Sequence, residues 1–252
     1  VMRPGGVRPF RGVGVLLGVS VLAGCSAAPA AAPPAVTGSG ALGSAADVVT
    51  LGDSVPAGTA CDCTPFPELY AAAIGAASDN LAAPGATSQD IRDQLDSSAV
   101  ARAVRRATVV LVMAGANDLA VAFDGGGDAF TEPAAQVQRN VTVVVDDVHT
   151  LSPAASVLVF GYWNVVEDGD VGHDDYGNNG VAEADSATAA CNDALRRATV
   201  ATGATYVDTT TAFKGGSGEQ NPTALLAADG DHPNAAGQLA IAAAAVAALP
   251  YG

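Results

Sequence analysis

Three residue types in this chain sit where they can do nucleophilic chemistry. Ser54 follows the apolar, β-branched run Val48-Val49-Thr50-Leu51 and the dipeptide Gly52-Asp53, with Pro56 and Gly58 close behind. That pattern reads as a buried strand that delivers a serine to a sheet edge and then turns. A serine hydroxyl becomes a nucleophile only when a base takes its proton. All three histidines, His149, His173 and His232, stand three residues after an aspartate, but only His232, as Asp229-x-x-His232, does so in a strand-end-to-helix context. Ser54, His232 and Asp229 therefore supply nucleophile, base and orienting carboxylate, roles recognised by geometry and not by their order along the chain. His149 and His173 stand in no such context and are read as surface residues. Asp231, next to His232, is the competing acid. No Gly-x-Ser-x-Gly elbow occurs, which argues against an ordinary α/β-hydrolase.

The elements that must position these residues alternate between strand and helix. Strands are predicted over 47–51, 80–82, 107–114, 155–162 and 204–208. Helices are predicted over 65–77, from a cap at Thr87 or Ser88 to about Leu95, and over 98–106, 132–151, 183–202 and from Pro233 to about Leu249. In the helix over 132–151, Val137, Val141, Val144, Val145 and Val148 form the expected buried stripe. Residues 83–86 and 115–118 read as turns. Residues 124–131, 163–182 and 209–227 read as irregular, and the polar stretch 163–182 is long enough to be a functional loop. Such alternation predicts an α/β protein with a mostly parallel sheet and helices on both faces. Ligands in such sheets bind beyond the carboxyl ends of the strands. Loops 61–67, 124–131 and 163–182 should border the site.

Four sequence blocks together resemble the SGNH/GDSL hydrolase family, across nearly all of the chain from Asp47 onward. They are Gly52-Asp53-Ser54 (with Val55 where leucine is usual), Gly85 in a turn after a short strand, Gly115-Ala116-Asn117-Asp118, and Asp229 to His232 followed by Pro233. The resemblance implies a serine esterase on a three-layer α/β/α sandwich with a mostly parallel, flavodoxin-like sheet. Ser54 attacks an acyl carbonyl, His232 carries the proton, and Asp229 orients the imidazole. The oxyanion hole is implied to be the N–H groups of Ser54 and Gly85 with the Asn117 side-chain amide. Asp53 and Asp118 are expected to be structural, and no cofactor or metal is required. The expected activity is of the carboxylesterase or lipase type on a small-molecule or glycan acyl ester. The alternatives are a carbohydrate O-acyl esterase acting on envelope polysaccharide, and a non-catalytic surface binding protein on the same fold.

The chain has 252 residues and a formal charge of −15, which argues against nucleic acid as a partner. Arg3, Arg8 and Arg11 precede an apolar run over 13–23 that ends in Leu22-Ala23-Gly24-Cys25. This resembles the lipobox of bacterial lipoproteins, with a signal peptide over 1–24 and lipid on Cys25. An Ala/Pro/Gly-rich tether over 25–46 would carry a domain over 47–252 on the outer face of the cell membrane, the lipid being its only membrane contact. Cys61, Cys63 and Cys191 remain, an odd number. A disulfide from Cys191 to Cys61 or Cys63 is the expectation, with a local Cys61–Cys63 pair as the alternative. Cys-x-Cys with one distant cysteine is too little for a zinc site. Glu167, Asp168, Asp170, Asp174 and Asp175 could gather calcium, but their spacing fits no EF-hand, and a solvated acidic loop is the expectation.

Overall fold

A computed structural model describes residues 47–123 and 127–249. The predicted signal peptide, Cys25 and the tether lie outside the described residues. The frame is five parallel strands: β1 (Asp47–Gly52), β2 (Ala77–Asn80), β3 (Val109–Met113), β4 (Ser156–Phe160) and β5 (Thr205–Val207). Their order is β2-β1-β3-β4-β5, the flavodoxin-like arrangement. Central β3 is buried along its whole length between β1 and β4, hence its unbroken apolar sequence.

Helices cover both faces, as parallel crossovers require. The short ones are α1 (Phe66–Ala73), α2 (Ser88–Gln94), α3 (Ser98–Val104), α4 (Ala116–Ala120) and α7 (Thr209–Lys214). The long ones are α5 (Thr131–Leu151), α6 (Gly169–Thr202) and α8 (Ala235–Ala248). The valine stripe of α5 is buried as its spacing predicts. Among the described residues no helix is long and apolar enough to cross a membrane.

Several boundaries move for identifiable reasons. Helix α1 stops at Ala73 instead of residue 77, and Gly75 follows at φ +70°. Strand β2 begins at Ala77 rather than 80. It is an edge strand whose first three residues are exposed, so it carries no apolar signal. The turn expected at 115–118 opens α4, and 209–227 holds α7 and a 3₁₀ turn at Thr223–Leu225. Pro233 precedes the helix instead of starting it. Asn234 is the cap of α8, its side chain accepting from Ala236 N–H and Gly237 N–H.

The largest change is in 163–182. From Gly169 onward this stretch is the first part of α6, broken at Gly177, where φ +60° and ψ −176° suit glycine alone. Its Gly, Asp and Asn content opposes helix by propensity. The helix starts there because Asp168 Oδ1 accepts from Gly169 N–H at 2.7 Å, while Lys214 Nζ holds Asp168 Oδ2 at 2.9 Å. No group of carboxylates in the described residues is arranged to hold a metal ion.

The expected disulfide is corrected too. Cys61 and Cys63 are bonded to each other in the loop after β1, and Cys191 is free. Cys191 is fully buried on the inner side of α6, where a Cβ on Gly115 would come within 2.7 Å of its sulfur. It is a packing residue of the core, and burial pushes its thiol well above the ordinary range.

Candidate active site

The site is built at the carboxyl ends of β1, β3 and β4. Strand β1 turns at once because a side chain on Gly52 would meet Pro56 Cγ at 2.5 Å. Asp53, 1 % exposed, then directs its side chain into the protein. Its Oδ1 accepts from Val55 N–H at 3.0 Å and its Oδ2 accepts from the Tyr162 hydroxyl at 2.5 Å. Burial is the larger influence and raises the Asp53 carboxyl to about 6, against the two hydrogen bonds that lower it. The carbonyls of Asp53 and Ser54 accept from Ala57 N–H and Thr59 N–H, closing the turn. Ser54 is thereby left half-buried in the wall of a cavity.

That cavity measures about 160 Å³ and is lined by Ser54, Asn117, Tyr162, Trp163, Val165 and Asp231 among others. Asn117 enters it from the first turn of α4. Its amide also donates to the carbonyl of Ala86 at 2.9 Å, which ties it to the loop that holds Gly85. Gly85 lies at φ +80°, a backbone state that side-chain-bearing residues rarely adopt. The neighbouring Asp118 faces away from this chemistry. Its carboxylate accepts from Ser88 N–H and Ser88 Oγ at 2.8 and 2.6 Å, so it is a structural residue, as expected.

Asp229 and His232 lie together on the loop before α8, with His232 Nδ1 2.8 Å from Asp229 Oδ2. Asp229 Oδ1 accepts from the backbone N–H groups of Asp231 and His232, at 3.1 and 3.0 Å. Partial burial opposes ionisation of Asp229, but these hydrogen bonds outweigh it and hold the carboxyl below its ordinary value. Asp231 Oδ2 stands farther from the imidazole, at 3.7 Å, and burial raises its carboxyl. The loop itself is closed by Ala227 N–H to His232 O at 2.7 Å and Asn234 N–H to Leu225 O at 2.9 Å. His232 and Asp231 are both in electrostatic reach of Asp53, the residue before Ser54. His173 is exposed on α6, and His149 is partly exposed on α5.

Two residues of the site were not singled out from sequence. Gln238 of α8 is fully buried; its Oε1 accepts from Phe66 N–H at 2.8 Å and its Nε2 donates to Val55 O at 3.0 Å. It fastens the helix that follows His232 to the backbone that follows Ser54. A lone amide amid the alanines of α8 was the available signal. Asn164 gave none, because its position depends on how the chain leaves β4.

Comparison with known proteins bears on the fold and the family. No curated protein matches the sequence. Among solved structures, the lipase Lip_vut3 from a goat rumen metagenome superposes with a TM-score of 0.68 at 19 % identity, covering 81 % of this chain and 97 % of that one. A phospholipase A1 from Streptomyces albidoflavus gives 0.60 at 21 % identity, covering 81 % and 100 %. An acetylxylan esterase from Geobacillus stearothermophilus gives 0.60 at 17 % identity, covering 84 % and 97 %. At these identities the likeness speaks for the fold. The family is shown by a sequence model that matches residues 50–240, so that both the Ser54 turn and the Asp229–His232 loop fall within it. The chain belongs to the GDSL-like lipase/acylhydrolase family, whose members are SGNH-type hydrolases of ester bonds.

Proposed function

We propose that this chain is a serine esterase that removes short acyl groups through an acyl-enzyme on Ser54. The observation that carries the reading is the hydrogen-bonded Asp229–His232 pair, on a loop whose Asp231 lines the same cavity as Ser54. Ser54 Oγ attacks the ester carbonyl as the ring of His232 takes its proton. Asp229 holds Nδ1 in its N–H form, which leaves Nε2 as the base. The oxyanion is met by the N–H groups of Ser54 and Gly85 and by Asn117 Nδ2, whose second hydrogen is not used by Ala86. His232 then protonates the departing alcohol and activates water to release the acid.

The acyl preference follows from volume. A cavity of about 160 Å³ walled by Tyr162, Trp163 and Val165 is well under the ~300–1,000 Å³ of pockets that enclose drug-sized ligands. It admits an acetyl to butyryl group. The same reading puts the enzyme outside the cytoplasm, tethered by lipid on Cys25, a point that labelling with a fatty acid decides. For the activity, a p-nitrophenyl ester series is hydrolysed by the full chain and by Ser54→Ala. Wild-type rates should peak between acetate and butyrate, and Ser54→Ala should lose on the order of 10⁴-fold or more. Equal rates for the two proteins would leave the fold as a binding scaffold, and a peak at octanoate or longer would remove the short-acyl assignment.

A further inference from the structure

A second, larger cavity opens beside the first. It measures about 540 Å³, and Asn164 and Glu167 belong to the walls of both. Its floor is joined to the loop of the candidate base, since Asp168 N–H donates to Gly230 O at 2.8 Å. In a triad mechanism the base returns its proton to the leaving oxygen, so the alcohol half of the ester lies on the base's side. The groove is therefore where the alcohol half would extend.

Asn164 marks the passage between the two spaces. The residue is 5 % exposed. Its Oδ1 faces the backbone: Val165 N–H donates to it at 2.9 Å, Val166 N–H at 3.4 Å, and Thr188 Oγ1 lies 3.0 Å away. The atom that meets two N–H groups must be the oxygen, so the amide orientation is settled. Nδ2 is then the end left for the cavities, and it has no acceptor among the described residues. Nδ2 is not sealed from solvent, and a donor open to the cavity that Ser54 also lines is placed for a ligand's lone pair.

The groove's charge selects among alcohols. Glu167, Asp168, Asp170, Asp185 and Glu219 line it against Lys214, which is spent on Asp168 and Asp185 at 2.9 and 3.5 Å. Such a surface repels carboxylates and phosphates, while carboxylates and amides together offer hydroxyl groups many acceptors. At about 540 Å³ it is too large for a simple alkyl alcohol and has ten polar or charged side chains in its wall. We infer that the groove from Asn164 to Asn221 is the alcohol subsite and takes an uncharged polyhydroxylated alcohol, a glycan ring, with Asn164 Nδ2 donating to it at the crossing from acyl to alcohol. The inference rests on the esterase reading and names the alcohol half of its substrate.

The test holds the acyl group constant and varies the alcohol. Full-length wild type and Asn164→Asp are assayed on acetylated methyl glucoside, acetylated methyl glucuronide and hexyl acetate. Asp keeps the oxygen that the turn uses and replaces the free donor with an acceptor. Wild-type kcat/KM should favour the glucoside over both other esters by about tenfold or more, and Asn164→Asp should cut the glucoside-to-hexyl ratio by about tenfold, the size of one lost hydrogen bond. A wild type that prefers hexyl acetate or the glucuronide, or a ratio unmoved in the variant, overturns the assignment. Should the variant not fold, competition on the wild type decides. Cellotetraose should inhibit p-nitrophenyl acetate hydrolysis competitively, and absence of inhibition counts against the subsite. If Ser54→Ala hydrolyses p-nitrophenyl acetate as fast as wild type, the esterase reading itself fails. If only the sugar preference is missing, the subsite alone fails.

Discussion

Asp229 gives its two carboxylate oxygens different tasks in relation to His232. Oδ1 binds the backbone N–H of His232, at 3.0 Å, and Oδ2 binds its Nδ1, at 2.8 Å. One residue thus fixes both the path of the main chain and the tautomer of the ring. Asp229→Asn can keep the backbone contacts through its remaining oxygen, but it turns an amide N–H₂ toward Nδ1 and favours the opposite tautomer. We expect kcat to fall on the order of 10³–10⁴-fold with the melting temperature little changed. Asp231→Asn, the competing acid, should lose less than tenfold by the same assay, because Asp231 Oδ2 is 3.7 Å from the ring.

On the proposed mechanism, Asn117 acts only once charge has formed on the substrate oxygen. Asn117→Ala should lower kcat for p-nitrophenyl acetate about 10²–10³-fold while KM stays within a few-fold. An equal rise in KM would mean that the amide binds substrate and transition state alike. The same substitution frees the carbonyl of Ala86, so a small loss of stability should accompany it.

Gln238 connects α8 to the serine turn and makes no contact with the chemistry. Gln238→Leu leaves the buried N–H of Phe66 without its partner, whereas Val55 O keeps its bond from Gly58 N–H. Urea denaturation should report a loss of about 1–3 kcal/mol. An unchanged midpoint would show that the N–H finds another acceptor.

Asp53 makes stability depend on pH. Its folded-state carboxyl is raised from 3.8 to about 6, so between those values the folded protein holds a proton that the unfolded chain releases. The contribution of Asp53 therefore falls as pH rises from about 4 to about 6 and is constant above. At about 1.36 kcal/mol per pH unit the change is ~3 kcal/mol. Asp53→Asn removes this dependence, so the stability difference between variant and wild type should move in the variant's favour across that range, as read by denaturation at several pH values. Parallel curves for the two proteins would place the shift elsewhere.

The positions of Ser54, Asn117 and His232 were legible because each stands at a sharp change of pattern. An apolar run ends at Gly52, another at Ala114, and a Gly-Asp cluster precedes α8. Buried parallel strands write themselves into sequence as continuous hydrophobic runs, and the parallel direction followed from the alternation with helices. The first part of α6 was not legible, because a cap at Asp168 and an ion pair to Lys214 override residues of poor helix propensity. Edge strand β2 was misplaced for the opposite reason: with one exposed side it needs no apolar residues.

Sequence by itself thus determined the family, the parallel sheet and the chemical types at the site, since these depend on local pattern and on motif residues. Tertiary structure alone decided which cysteines pair, what Gln238 and Tyr162 hold, and where Asn164 leaves a donor free. Most of these rest on contacts between residues far apart in the chain. Cys191 is buried against Gly115, Gln238 reaches Val55, and Tyr162 reaches Asp53. No spacing rule encodes such contacts, because they arise from how the helices settle on the sheet.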